Sequence, residues 1–326
     1  MRRREFVTFL TGAAAIWPLT ARAQQSMPVI GWLSSVSAEV SEPNLWAFRK
    51  ALADTGYVEG HNLQIEYRWA DGKYDRLPAM AADLVGQRVT LIVASGAEPA
   101  AFAAKAATAT IPIVMTMGSD PVKEGLVASL NRPGANATGA TVYSFNMESK
   151  RLGLLHEAVP AAKTIAVLVN PASPGAESQT REVQEAAPGL GVEVVIFNAH
   201  DADEFESLFA AMAERKVAAL LVTADPSFNS QRGRLIALAA RYRLPAIYEW
   251  RVHAVEGGLM SYGTVLTDAF SQVGNYAGRI LNGEKPADLP VVLPTNFQFV
   301  INLKTAKALG LEIPPTLSAR ADEVIE

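Results

Sequence analysis

Leu91-Ile92-Val93-Ala94-Ser95-Gly96 and Ile113-Val114-Met115-Thr116-Met117-Gly118-Ser119-Asp120-Pro121 decide the fold. Each is a short apolar run that stops at small polar residues. Between them lies an alanine-rich stretch, about 99–107, whose composition suits a helix. Apolar runs without alternation mark strands covered on both faces, which places them in a parallel sheet flanked by helices.

The same unit recurs on either side. Residues 29–33 form an apolar run ending in Ser34-Ser35, and Leu45, Phe48 and Leu52 follow at helical spacing. Residues 63–69 read as a strand, and Leu77, Met80, Ala81 and Leu84 as one helix face. A helix is expected after Pro121, through Leu130. The pattern then restarts. A helix at about 147–159 leads to a strand at 165–169 that ends in Asn170-Pro171. A helix at about 177–187, a strand at 192–197 and a helix capped by Asp201 follow. The strand at 218–222 ends in Thr223-Ala224-Asp225-Pro226; a helix at about 231–242 precedes a strand at 245–248. Two α/β units of about five strands each therefore stand in series.

What remains is a strand at 258–262, a helix at about 268–281, a proline-rich passage at 286–294, a strand at 297–301 and a short helix closed by Gly310. These pieces are too small for a third domain, so they are expected to complete the two lobes. That requires crossings near 142–146, 262–267 and 294–296. The expected lobes are 28–142 plus 268–294, and 146–262 plus 297–326.

The chain has 326 residues and no cysteine, which excludes structural disulfides, thiolate metal sites and a cysteine nucleophile. His61, His156, His200 and His253 are widely spaced, so neither a metal nor another cofactor is expected. A net charge of −4 without a long basic run argues against nucleic acid as partner. At the N-terminus, Arg2, Arg3 and Arg4 precede an apolar stretch at 6–19 and the small-x-small triplet Ala21-Arg22-Ala23. That is the anatomy of a cleaved export signal, residues 1–23, and too short to span a bilayer. Arg3-Arg4-Glu5-Phe6 also resembles a twin-arginine motif, and the two export routes both stay open. With no cysteine to lipidate, a diffusing periplasmic protein is expected, with secretion as the alternative.

Fingerprints for dinucleotides, Walker-type phosphate loops and nucleophile elbows are missing; Gly189-Leu190-Gly191 precedes a strand and reads as a turn. The strand ends are more informative. In open parallel sheets ligands bind beyond the carboxyl ends of the strands, where hydroxyls and helix starts converge. Ser34, Ser35, Ser95, Gly96, Ser119 and Asp120 occupy such places in the first unit, and Asn170, Ser173 and Asp225 in the second. Tyr143, at the first expected crossing, and Tyr248 and Tyr262, near the last strands, are candidates to hold a flat organic ligand. The same residue types also cap helices and form turns. Phe228 and Trp250 read rather as packing under loops, Glu249 as a possible partner for a ligand amine, and His253, near Glu256, as a surface helix residue.

The C-terminal third carries longer motifs: Gly257-Gly258-Leu259-Met260-Ser261-Tyr262-Gly263, Ala277-Gly278-Arg279-Ile280-Leu281-Asn282-Gly283-Glu284, and Pro294-Thr295-Asn296-Phe297. Gly56-Tyr57-Val58-Glu59-Gly60, Ser119-Asp120-Pro121-Val122 and Gly134-Ala135-Asn136-Ala137-Thr138-Gly139 precede them in order. Together these resemble the ABC-transporter substrate-binding protein family that includes tryptophan- and tyrosine-binding proteins. The resemblance covers the chain beyond the export signal. It implies a type I periplasmic-binding-protein fold, two doubly wound lobes joined by three crossings, and capture of a small solute for an inner-membrane ABC permease. Gram-positive members are lipoproteins, and the missing cysteine departs from that subset. A non-catalytic, monomeric solute-binding protein for an amino acid or an aromatic or carboxylate compound is the expectation. A ligand-sensing receptor subunit and an exported α/β enzyme are the alternatives.

Overall fold

The computed structural model describes residues 27–96, 98–143 and 147–326. The expected export signal lies outside the described residues, as does part of the first expected crossing.

The first sheet is built from β1 (Val29–Ser34), α1 (Ala38–Asp54), β2 (Gln64–Trp69), α2 (Leu77–Gly86), β3 (Leu91–Ser95), α3 (Glu98–Ala107), β4 (Ile113–Met117) and β5 (Ala137–Thr141). All five strands are parallel, in the order β2-β1-β3-β4-β5. Both faces are buried, as the unalternating strands require: Leu33, Ile92 and Met115 pack toward one layer of helices, Trp32, Val93 and Val114 toward the other.

The second sheet follows with α4 (Glu148–Ala158), β6 (Thr164–Val169), α5 (Ala176–Leu190), β7 (Glu193–Asn198), α6 (Phe205–Glu214), β8 (Ala219–Val222), α7 (Pro226–Ser230), α8 (Arg232–Arg241), β9 (Ala246–Tyr248), α9 (Arg251–Val255) and β10 (Met260–Thr264). Its parallel part runs β7-β6-β8-β9-β10, the same winding as the first. The chain then returns to the first sheet for α10 (Leu266–Leu281), whose apolar face lies along α1. The approach is close because position 278 is glycine: a Cβ there would lie 1.8 Å from the Thr55 Oγ1. Val292 pairs with Ala140 beside β5 before β11 (Phe297–Asn302), α11 (Leu303–Leu309), α12 (Pro315–Ser318) and β12 (Glu323–Ile325) finish the second sheet. β11 is antiparallel to β10, and β12 parallel to β11.

The second sheet has seven strands: β11 joins its edge beside β10, and the three-residue β12, which the sequence did not announce, adds one more beyond it. One expectation needs correction. Residues 121–130 form turns, not a helix: Asp120 accepts from the Val122 N–H, and Gly125, at φ +70°, breaks the helical path after one turn.

The segments between the sheets are tied to one another. The Thr264 hydroxyl donates to the Val142 carbonyl at 3.3 Å, and the Val265 N–H to that of Asn296 at 3.2 Å. The three passages thus run side by side, the layout of a hinge.

Candidate functional site

A doubly wound sheet with this strand order opens a crevice where the winding reverses, between its first and third strands. Here that happens twice, at β1/β3 and at β6/β8, and the two crevices face each other.

In the first lobe the crevice is made of hydroxyls and backbone. Ser34 accepts from the Val36 N–H at 3.3 Å, and the Ser35 N–H donates to the Ser95 carbonyl at 3.0 Å. Ser37 caps α1 by accepting from the Val40 N–H. Gly96 sits at φ +83°, and a Cβ on it would lie 3.0 Å from that of Ser35, so conformation and space both call for glycine. Just behind, the buried Glu98 carboxylate accepts from the Ser119 N–H at 2.5 Å, and burial pushes its acid up to about 7.

In the second lobe the crevice is acidic. Asp225 caps α7, its Oδ1 accepting from the Ser227 and Phe228 N–H groups, the Ser227 hydroxyl and the Asn170 amide. The preceding residue is clamped: Glu148 accepts from the Ala224 N–H at 3.2 Å, and the Gln179 amide donates to its carbonyl at 2.7 Å. Glu148 is fully buried and paired at 2.8 Å with a fully buried Arg151, whose Nε donates to the Tyr262 carbonyl at 2.8 Å. One network therefore links the middle of β10 to the cap that holds Asp225.

A cavity lies between the lobes. Of the sequence-predicted residues, Ser95, Gly96 and Asp225 line it. The rest of the wall comes from elsewhere: Val40, Ser41 and Asn44 on the first turns of α1, Asn229 on α7, Glu249 and Trp250 after β9, Leu266 and Phe270 on α10. The Ser41 hydroxyl, the Asn229 Oδ1 and the Trp250 indole N–H are buried there without a hydrogen-bond partner among the described residues. Lining side chains include neither lysine nor arginine among the described residues.

The other predicted residues stand behind or apart from the cavity. Ser34 and Asn170 brace the loops, and Asp120 holds its own turn. Ser35, Ser119 and Ser173 are buried or nearly so, with hydroxyls that find no partner among the described residues, and they do not reach the lining. Tyr143 closes β5 at φ +45°, where burial and Asp120 raise its phenol pKa. Period-2 alternation on β9 places Ala246 and Tyr248 in the core below α8, and Tyr248 does not line this cavity. Tyr262 likewise turns from the cleft and stacks on Phe297, with ring centroids 6.4 Å apart. His253 is not a surface residue. It is 3% exposed and stacked at 5.1 Å on Tyr248, and its Nδ1–H donates to the Trp250 carbonyl at 3.1 Å. Desolvation drives its pKa down to about 3. Trp250, read from sequence as packing, is part of the cavity wall because it lies past the carboxyl end of β9; Phe228 does pack, against Phe205.

A family model described as ABC transporter substrate binding protein matches residues 34–325. The chain belongs to that family. A curated relative, the tyrosine-binding protein of Clostridioides difficile, is 30% identical over 281 residues, 85% of this chain and 80% of the relative. Among solved structures, the chain is similar to an ABC domain from Streptococcus pneumonia in complex with L-Trp, at 28% identity and TM-score 0.83, covering 92% of this chain and 100% of the other. It is also similar to the ligand-free, open structure of a substrate binding protein with adhesive properties from Clostridium difficile, at 27% identity and TM-score 0.63, covering 92% and 99%. In this chain a hydrogen bond from Tyr74 of the first lobe to Asp225 of the second spans the cleft. The protein is an ABC substrate-binding protein of the type I periplasmic-binding fold, serving the uptake of a small solute with an ABC permease as partner. Among the described residues, no helix is long and apolar enough to cross a membrane, and no cluster of His, Asp and Glu is placed to hold a metal.

Proposed function

We propose that the solute is a zwitterionic amino acid with an aromatic side chain, held between the lobes without chemical change. The observation that carries this reading is the division of polar groups around the cavity. Asp225 and Glu249, from the second lobe, suit an ammonium group. Ser41, Ser95 and the start of α1, from the first, suit a carboxylate that meets hydroxyls, N–H groups and the positive end of a helix dipole. Phe270, Leu266 and Trp250 offer apolar and aromatic surface to a ring. A ligand with both charges satisfies both lobes only when they close, which couples binding to the hinge. The tyrosine-binding relative and the L-Trp complex support the same class.

The delivering form is proposed as a periplasmic monomer without a lipid anchor, exported by the signal at 1–23; the absence of cysteine from the sequence supports the unanchored form. Calorimetric titration with L-tryptophan, L-tyrosine and L-phenylalanine tests the ligand class. At least one is expected to bind with micromolar affinity or better, ~8 kcal/mol or more. Tryptamine and indole-3-propionate, each missing one charge, are expected to bind far more weakly. Equal affinity for either analogue overturns the two-lobe division. Fractionation of cells expressing the full chain tests the compartment.

A further inference from the structure

The two lobes meet at a polar contact that no cavity residue but Asp225 shares. The loop after β2 brings the backbone of Gly72 against α7: a Cβ at Gly72 would lie 3.2 Å from the Ser227 Cα. Tyr74 follows in a 3₁₀ turn, with its ring packed on the first lobe's core. Its hydroxyl donates to the Asp225 Oδ2 at 2.9 Å and accepts from the Ser227 N–H at 3.3 Å. Tyr74 is not among the residues lining the cavity.

We propose that Tyr74 is a closure latch: a positioning residue that grips Asp225 from the opposite lobe and prolongs the closed complex without touching the solute. The proposal rests on the cleft being the binding site.

Asp225 is arranged for this double duty. Its Oδ1 is occupied by donors from its own lobe, namely the Asn170 amide, the Ser227 hydroxyl and two backbone N–H groups. That leaves Oδ2 to face the other lobe, where Tyr74 takes one of its acceptor directions and the second is open to a ligand ammonium. Burial and the neighbouring Asp225 hold the Tyr74 phenol pKa well above its ordinary value, so the hydroxyl remains a donor at any working pH. The bond forms when the lobes close and is absent when they part. It therefore stabilises the closed state and leaves the open one unchanged, and its effect falls on dissociation rather than association. A hydrogen bond to an ionised acceptor of this kind corresponds to about tenfold in the closing equilibrium.

The test is Tyr74→Phe, which keeps the ring and removes the hydroxyl. Stopped-flow fluorescence with L-tryptophan and L-tyrosine is expected to show dissociation about tenfold faster and association unchanged within about twofold. Lobe separation is read in the ligand-free protein by spin labels at Asp54→Cys and Glu214→Cys, both exposed positions in a chain with no other cysteine. The short-distance population is expected to shrink in Tyr74→Phe. Unchanged dissociation with an unchanged distance distribution overturns the latch. So does a lowered melting temperature with unaltered dissociation, which is what a purely structural tyrosine gives. If neither amino acid binds the unsubstituted protein, the ligand reading fails, and the ligand-free distances still decide the latch.

Discussion

The two lobes wind their strands in the same order and bring the same switch point to the cleft, yet they arm it differently. The first lobe offers Ser95, Gly96 and a serine-capped helix start, and the acid behind them, Glu98, is pushed by burial toward its neutral form. The second offers Asp225 and Glu249, and its buried histidine is held uncharged. Topology fixes where the strand ends lie; side chains divide the charge between them. A ligand of two charges then finds half a site on each lobe, and hinge closure assembles the whole.

The difference runs deepest under the cleft, where the second lobe relies on a fully buried ion pair. Arg151→Leu would leave Glu148 buried without its cation, unlatch the Tyr262 carbonyl and loosen the residue that presents Asp225. The expected loss is about 3–5 kcal/mol of stability, measured by urea unfolding. Hydrogen exchange should place that loss in the second lobe. Replacing Glu148 and Arg151 together by leucine should recover much of it, because the largest part is the penalty of a lone buried charge. A uniform loss across both lobes would mean that the network serves the hinge as a whole.

The pH responses of the lobes should oppose each other. Glu98 has its folded pKa raised to about 7, so the native state holds a proton more firmly than the unfolded chain between about 4.5 and 7. Stability from the first lobe therefore falls as pH rises through that window, by about 3 kcal/mol in all. Glu98→Gln can still accept from the Ser119 N–H, and is expected to remove the loss at pH 8 while changing little at pH 4.5. His253 has its folded pKa lowered to about 3, so the unfolded chain takes up a proton below about 6.5 that the native state refuses. Stability from the second lobe falls with acidity, by about 2 kcal/mol at pH 5. The added proton goes to Nε2 and leaves the Nδ1–H bond to the Trp250 carbonyl in place, so the cost is that of a charge buried beside Tyr248. Hydrogen exchange on the segments 91–117 and 246–264 across pH 5–8 separates the two trends. Parallel trends would show that the buried acid and base do not govern their own lobes.

The strands were readable because buried parallel strands are continuous apolar runs, and the final helix and strand stood out as leftovers too small to form a domain alone. The face on which a strand residue lies was not. A strand buried on both sides gives no polar parity, so Tyr248 could be assigned to either side; the three residues of β9 turn it into the core, and Trp250, past the strand end, reaches the cavity. The contribution of α1 was hidden for a related reason. Its core face, Leu45, Phe48 and Leu52, is legible from spacing, while Ser41 and Asn44 look like any polar positions until the other lobe closes over them. His253 was misjudged because its burial comes from the ring of Tyr248 and the turn that follows, which no local pattern announces.

The smallest effect is the sharpest probe of the division. Ser95→Ala removes one neutral hydroxyl from the first lobe's wall and leaves the backbone bond from Ser35 intact, since that bond uses the Ser95 carbonyl. Fold and melting temperature should be unchanged, and affinity for a zwitterionic ligand should drop about tenfold, the lower end for a single hydrogen bond to a charged group. The informative comparison is tryptamine, which keeps the ammonium and lacks the carboxylate. If the first lobe receives the carboxylate, the substitution weakens L-tryptophan and leaves the already weak binding of tryptamine unaltered. Equal weakening of both places the Ser95 hydroxyl on the ammonium or the ring, and the assignment of charges to the two lobes has to be reversed.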